Sequence, residues 1–339
     1  MQLGGAESLM ANTIPFLDDF EHHIVLLKNG NDFTETLKDF EIFSLCFESK
    51  STILSKAWKL RKIIQKNEID IVHAHLFWST LVARLACIGL GVKFIFSLHT
   101  IMSEDSFNKS RVMTLMEKLT YKKKQIVLGV SNSVLKDYDE IIGLKGQSHT
   151  LYNFIGDSFF QRSLTRINRK GNLIKMVAVG NIKAVKNYPF LIQTFKELNN
   201  EKFSLDIFGD GPELENLKRE AENLSITFMG KCSNLQEVLP NYDLFVMPSL
   251  YEGFGLAPLE AMASGLPTLL SNIETLKEIA GDAALFFDPK DVSSLVKVLA
   301  RIFNGEVDIE LLSNKGRIRA KNIGLKDIYL ENLTSIYLS

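Results

Sequence analysis

Two glutamates, Glu252 and Glu260, stand with seven residues between them in PSLYEGFGLAPLEAMASGLP, residues 248–267. Carboxylates this close can act as an acid and a base. An arbitrary pair at this spacing is two solvated side chains, because carboxylates are mostly exposed. The glycines and prolines around this pair set it apart. Gly253 and Gly255 let the backbone approach a ligand closely and leave N–H groups at a helix start for anionic oxygens.

The flanking sequence predicts what positions them. Leu244–Met247 is an apolar run of strand length, and Pro258 falls where a first helical turn tolerates a missing N–H. Gly265 ends the helix and Pro267 keeps it ended. The product is a strand, a loop carrying Glu252 and a short helix carrying Glu260. Both carboxylates then reach the crevice at the carboxyl edge of a parallel sheet.

Other loops carry further candidates. Gly180–Asn187, GNIKAVKN, holds Lys183 and Lys186, and residues 209–212, GDGP, form a tight turn. A lysine in a glycine-led loop at a strand's carboxyl end is well placed for a diphosphate, as a point charge. Neither loop matches a P-loop or the G-x-G-x-x-G fingerprint, which argues against ATP hydrolysis and nicotinamide binding. His99, in SLHT, sits at another strand end, with His73 and His75 flanking a third. His73 and His75 lack a third metal ligand, so no metal site is predicted. Gly4 and Gly5 at a helix entry are either a turn or a site of close anion approach.

The 339 residues exceed what one core usually serves, so two domains are expected. Strand-like runs at 23–27, 40–47, 69–73, 93–98 and 126–130 make the first domain. Strands at 173–179, 203–208, 226–229, 244–247, 268–270 and 284–287 make the second. The helices predicted between them are 53–65, 77–88, 188–198, 212–223, 274–279 and 291–303, with a final one at 326–337. Such alternation describes doubly wound parallel sheets. A linker is expected within residues 153–169.

With 39 basic against 40 acidic residues, nothing points to nucleic acid. Three cysteines in no C-x-x-C spacing give neither a disulfide framework nor a zinc site and fit a reducing cytoplasm. Lys93 interrupts the best apolar stretch, and the start lacks a signal-peptide pattern. A cytoplasmic protein, at most peripheral at the inner face of the membrane, is expected. Lys56, Lys59, Arg61, Lys62 and Lys66 on one helix, and Lys122, Lys123 and Lys124 after another, read as solvated faces or as a basic patch touching anionic lipid headgroups.

These pieces together resemble the retaining glycosyltransferases of family 4 (glycosyl transferases group 1). The matching segments are GGAE at 4–7, SLHT at 97–100, VSNSV at 130–134, YNF at 152–154, VGNIKAVKN from Val179, FGDGPEL from Phe208, FMGK from Phe228, and all of residues 248–267. They cover almost the full length in order. The resemblance implies an α/β protein of the GT-B class, two Rossmann-like doubly wound parallel-sheet domains facing a central cleft. The expected boundaries are 1–156 for the acceptor-side domain, 157–324 for the nucleotide-sugar-binding domain, and 325–339 for a helix crossing back to the first.

By the same resemblance, Glu260 accepts hydrogen bonds from the donor's ribose and Glu252 contacts the transferred sugar. The backbone of Phe254, Gly255 and Leu256 lies against sugar and phosphates. Lys186 neutralises the diphosphate, with Gly180 in the same loop, and His99 touches the sugar. Gly4 and Gly5 lie near the diphosphate and acceptor, while Gly230 and Lys231 border the base. Neither metal nor cofactor is expected, since fixed cations and amides stabilise the departing diphosphate. The partners implied are a nucleotide sugar and a glycan or lipid-linked acceptor of surface polysaccharide synthesis.

Two departures stand out. Asn181 replaces an arginine of the family pattern, leaving Lys183 as a charge without a bidentate fork. Family members also have a β-strand before the GGAE loop, central in the first sheet, and without it neighbouring edges are left unpaired. A sugar-nucleotide epimerase on the same fold and a non-catalytic nucleotide-sugar-binding subunit are the alternative readings.

Overall fold

The computed structural model describes residues 5–30, 33, 35–104, 110–161, 173–198 and 202–339. Two compact units divide the chain, Met1–Asn153 with Asp327–Ser339, and Phe154–Lys326.

The first unit begins with helix α1 (Gly5–Thr13) and a 3-10 turn, then strands β1 (His23–Leu26) and β2 (Glu41–Ser44). Alternation follows: α2 (Ile53–Lys66), β3 (Ile71–His75), α3 (Phe77–Ala86), β4 (Lys93–Leu98), α4 (Arg111–Thr120), β5 (Ile126–Gly129), α5 (Asn132–Ile141) and β6 (Ser148–Thr150). Strands β3 to β6 pair in parallel in chain order, and β1 pairs with β2 in a separate parallel ribbon. Continuous apolar runs such as Phe94-Ile95-Phe96 and Ile126-Val127-Leu128 are buried, as strands covered on both faces require. Among the described residues β1 pairs only with β2, and β3 only with β4. Ile24, Leu26, Ile71 and Val72 from these two strands help line a cavity of about 1110 Å³.

The second unit runs β7 (Ile174–Val179), α6 (Tyr188–Glu197), β8 (Phe203–Phe208), α7 (Leu214–Glu220), β9 (Ile226–Gly230), α8 (Leu235–Val238) and β10 (Leu244–Met247). It continues with α9 (Leu256–Ala263), β11 (Thr268–Ser271), α10 (Glu274–Ala280), β12 (Ala284–Phe287), α11 (Val292–Phe303) and α12 (Ile309–Gly324). All six strands are parallel in the order β12-β11-β10-β7-β8-β9. The winding reverses between β7 and β10, and the loops leaving their carboxyl ends flank the place where such sheets bind ligands.

Helix α13 (Lys326–Leu338) belongs to the first unit. Tyr337 lies 2.6 Å from His73 Nδ1, and Lys93 Nζ donates to the carbonyl of Ile336 at 2.8 Å. Both units are Rossmann-like, as the α/β GT-B class requires. Three helices, α5, α8 and α12, are not among those the sequence pattern predicts. The helix expected over 212–223 is the shorter α7, because Gly211 and Pro212 belong to the preceding turn. The expected linker lies partly at 162–169, outside the described residues.

Candidate functional site

The loops after β7 and β10 are neighbours because their strands pair, and the amide of Leu250 donates to the carbonyl of Val185 at 2.9 Å. That stitch brings together residues far apart in sequence. Lys186 Nζ and Glu252 Oε1 form an ion pair at 2.6 Å, both side chains mostly buried. Ser249 Oγ donates to the same carboxylate oxygen at 2.6 Å. Lys186 closes the single 3-10 turn Ala184–Lys186, and Asn187 follows with φ +54°, a left-handed conformation asparagine tolerates. The Asn187 amide anchors that bend on the carbonyl of Pro289 at 3.0 Å. Tyr188 Oη donates to the Gly180 carbonyl at 3.0 Å, and burial together with the Glu252 charge pushes its phenol well up.

Glu260 sits on α9, whose N-cap is Gly255 at φ +96°. A Cβ there would adopt a disfavoured backbone conformation and meet Leu276 Cδ2 at 3.0 Å. Pro258 lies in the first turn, so its missing N–H costs nothing. The helix ends in a Schellman arrangement, Gly265 N to Met262 O and Leu266 N to Ala261 O, both 2.9 Å. Helix α12 braces α9: Ser313 Oγ donates to the Gly265 carbonyl at 2.6 Å, and Gly316 packs on Met262. Burial pushes the Glu260 carboxyl up to about 7. The Phe254 side chain is buried, so that residue offers its backbone, and Leu256 is half-buried.

The loops after β7, β8 and β9 form one hydrogen-bonded row. Gly180 N donates to Phe208 O at 2.9 Å, Ile182 N to Asp210 O at 2.9 Å, and Gly209 N to Gly230 O at 2.8 Å. Crossing is so tight that a Cβ on Gly209 would stand 2.0 Å from the Gly180 carbonyl oxygen. Asn181 and Lys183 are exposed on the first loop. Lys231 makes a loose, exposed pair with Asp210 at 3.6 Å. Lys186, Glu252 and Gly180 are thus gathered at the switch point, whereas Gly230 and Lys231 lie two strands away. Ser249, Asn187 and Tyr188 were missed by sequence reasoning. Only the turn-forming Ser and Asn types signalled them.

In the first unit, His99 follows β4 directly, and its Nε2 lies 3.0 Å from His75 Nδ1. His73 stacks beside His75 with ring centroids 4.2 Å apart and bonds Ser97 Oγ at 2.8 Å. Burial keeps all three imidazoles neutral: His99 falls to about 4, His73 to about 3, and His75 well below its ordinary value. Among the described residues the second ring nitrogen of His75 is buried without a hydrogen-bond partner. The His99 loop is tethered by Asp137 on α5, which accepts from the amide of Met102 at 2.6 Å.

An Asp-x-Asp spacing, Asp137 and Asp139, is put to structural use here. Asp139 accepts from the amide of Leu144 at 2.7 Å. Among the described residues no three His, Cys, Asp or Glu side chains gather as metal ligands. Gly5 opens α1, and Gly4 lies outside the described residues.

Known proteins match both units. The family model for Glycosyltransferase Family 4 covers residues 3–159, and that for Glycosyl transferases group 1 covers residues 160–319. EpsF of Bacillus subtilis (strain 168) is 31% identical over 316 residues, 83% of this chain and 79% of its own. The Escherichia coli UDP-Gal:alpha-D-GlcNAc-diphosphoundecaprenol alpha-1,3-galactosyltransferase is 24% identical, with 97% and 94% covered. Anabaena Alr3699/HepE, crystallised in complex with UDP and glucose, superposes with a TM-score of 0.82 at 17% identity, covering 100% of this chain and 97% of that one. Two parallel-sheet units, a glycine-led lysine loop and the Glu252–Glu260 pair therefore stand in a known setting: the chain belongs to glycosyltransferase family 4, the glycosyl transferases group 1, with the GT-B fold.

Proposed function

We propose that this chain transfers a sugar from a nucleotide diphosphate sugar to a glycan or lipid-linked acceptor in surface polysaccharide synthesis. In this reading the anomeric configuration is retained, and neither metal nor cofactor takes part. The observation that carries it is the Lys186–Glu252 pair at the β7/β10 switch point, with Glu260 on the adjoining helix. Departure of a nucleoside diphosphate builds negative charge, and a preorganised cation with helix-start amides stabilises that charge without rearranging. Lys186 takes the diphosphate, with Lys183 supplying a second charge from the same loop. Glu260 accepts from ribose hydroxyls, Glu252 from hydroxyls of the sugar, and the amides of Gly255 and Leu256 face the phosphates. Gly230 and Lys231 border the base. Gly4 and Gly5 approach the diphosphate and acceptor. His99 is the sugar-contacting residue of the first unit.

Two relatives support a uridine donor and a lipid-linked acceptor: the structure holding UDP and glucose, and the galactosyltransferase whose name specifies UDP-Gal and a diphosphoundecaprenol acceptor. The test is a thermal-shift screen of uridine, guanosine and adenosine diphosphate sugars, because a ligand bound only by the native state raises its melting temperature. Product analysis follows with the stabilising donor. Acceptor-dependent release of nucleoside diphosphate, with the anomer preserved, is expected. Epimerised nucleotide sugar without acceptor would establish an epimerase instead, and donor binding without turnover a non-catalytic subunit.

A further inference from the structure

Two donors of unequal freedom share one oxygen in the second unit. Glu252 Oε1 accepts from Lys186 Nζ at 2.6 Å and from Ser249 Oγ at 2.6 Å. The hydroxyl is held by fixed backbone. Ser249 is fully buried just past the end of β10, and the next amide, that of Leu250, donates to the Val185 carbonyl at 2.9 Å. The ammonium has more room. It ends a flexible four-carbon stem whose side chain is 19% exposed, and that stem runs along the Gly180 backbone, where a Cβ would stand 3.2 Å from Lys186 Cε.

An ion pair this close is also a competitor. In the proposed function Lys186 meets the diphosphate, yet in the ligand-free protein Glu252 neutralises it, and the carboxylate charge opposes an incoming anion. A diphosphate carries more negative charge than one carboxylate and offers strong acceptor oxygens, so it draws the mobile ammonium away from Oε1. Ser249 does not move with it. A hydroxyl supplied from fixed backbone keeps Oε1 in place, and a carboxylate that has lost its ammonium is a stronger acceptor for hydroxyl groups.

We propose that Glu252 exchanges partners when a donor binds: Lys186 passes from the carboxylate to the diphosphate, and Ser249 is the positioning residue that holds Glu252 for the sugar. This deepens the donor reading and rests on it. The ligand-free pair is then a restraint. A bare nucleoside diphosphate must separate the pair and gains nothing from the released carboxylate, whereas a sugar conjugate gains hydrogen bonds to it. The site therefore favours the intact donor over the spent nucleotide.

The test is calorimetric titration of the full chain with UDP, GDP and ADP and with the sugar conjugate of whichever binds, beside steady-state transfer rates. Glu252→Gln should bind the bare diphosphate about tenfold more tightly, because Lys186 is released and the opposing charge is gone. Ser249→Ala should leave that affinity unchanged and lower kcat/KM for the sugar donor by about tenfold. Adding Ser249→Ala to Glu252→Gln should lower kcat/KM no further, since Ser249 acts through the carboxylate. A hydroxyl with a merely structural role would weaken both ligands alike and add to the loss in the double variant. Should Glu252→Gln fail to fold, the Ser249→Ala comparison decides alone, because that variant only removes an oxygen. Binding of the bare diphosphate by Glu252→Gln no tighter than by the unsubstituted protein, equal losses for both ligands in Ser249→Ala, or additive losses in the double variant would each overturn the exchange. An unsubstituted protein that binds none of the three nucleotides would overturn the donor reading itself, and the exchange with it.

Discussion

Lys186 and Glu252, 66 positions apart in sequence, close a 2.6 Å ion pair where the loops leaving β7 and β10 meet. The pair stores a cation in a mostly buried place, held by a carboxylate that Ser249 also grips. In the proposed function, an arriving diphosphate finds its counter-charge already positioned. Replacing Lys186 with Ala is expected to lower the transfer rate by about 10²–10³-fold, the scale seen when one preorganised stabiliser is removed. Arg at this position should recover only part of it, because a planar fork does not reproduce a compact ammonium. Steady-state rates with saturating donor check both; an unchanged rate in Lys186→Ala would remove the lysine from the chemistry.

Glu260 gives a pH signature. Its carboxyl is raised from 4.5 to about 7 by burial, so the folded state holds that proton more tightly than the unfolded chain does. Folding is therefore disfavoured by this group as pH rises from 4.5 through about 7. Binding of ribose hydroxyls by a carboxylate runs the other way. Affinity for UDP should fall by about tenfold per unit as pH drops below 7. The UDP phosphate also titrates in this range, so Glu260→Gln is the comparison: it should bind more weakly above pH 7 and lose this part of the dependence. Calorimetric titrations from pH 8 to 5.5 read the difference, and parallel curves for the two proteins would contradict the assignment.

The histidine cluster predicts a tautomer. Neutral His75 and His99 share one proton in their 3.0 Å contact, and among the described residues His75 Nε2 is buried without a hydrogen-bond partner. A proton on that nitrogen would be an orphaned buried donor, so the proton belongs on Nδ1 of His75. His99 then accepts at Nε2 and carries its own hydrogen on Nδ1, the hydrogen that the proposed function directs at a sugar oxygen. Long-range ¹⁵N correlation spectra of histidine-labelled protein should show His75 and His99 both as Nδ1–H tautomers. His75→Phe should lower activity by about tenfold or more through the freed orientation of His99, while leaving affinity for UDP alone unchanged. The opposite tautomer at His99 would overturn the arrangement.

Gly255 is predicted to tolerate no side chain. Gly255→Ala places a Cβ at φ +96°, 3.0 Å from Leu276 Cδ2. Left-handed strain of this kind costs about 1–3 kcal/mol. Melting should fall by about 2–10 °C, with weakened UDP binding because the start of α9 shifts. A melting temperature equal to that of the unsubstituted protein would show that the loop has an alternative path.

The parts of this molecule legible in its sequence are those whose signal is local. The runs at Lys93–Leu98, Phe203–Phe208, Leu244–Met247 and Ala284–Phe287 match their strands residue for residue, because buried parallel strands are short, apolar and bounded by turns. Gly255, Pro258 and Gly265 likewise mark the start and end of α9. Helix α12 was not read because IELLSNKGRIRAKNIG mixes glycines and polar residues into its buried face; Gly316 and Ser313 are there to let α12 approach α9, a tertiary requirement. Helix α5 carried a legible cap, Ser131 accepting from Val134 N at 3.2 Å, and Asp137 at its middle ties down the His99 loop. The pairing of Lys186 with Glu252 and the histidine contact depend on strand order and loop packing. No spacing along the chain encodes them.

The central claim is that the switch-point cluster of the second unit binds a nucleotide diphosphate sugar and drives transfer. Acceptor-dependent release of nucleoside diphosphate by Glu260→Ala, measured beside the unsubstituted protein with the donor that stabilises it, tests that claim most directly. A loss of about a hundredfold or more is predicted, with the melting temperature of the unliganded variant no lower, since removing a carboxyl that burial disfavours does not weaken the fold. Release at the full rate by Glu260→Ala would contradict it.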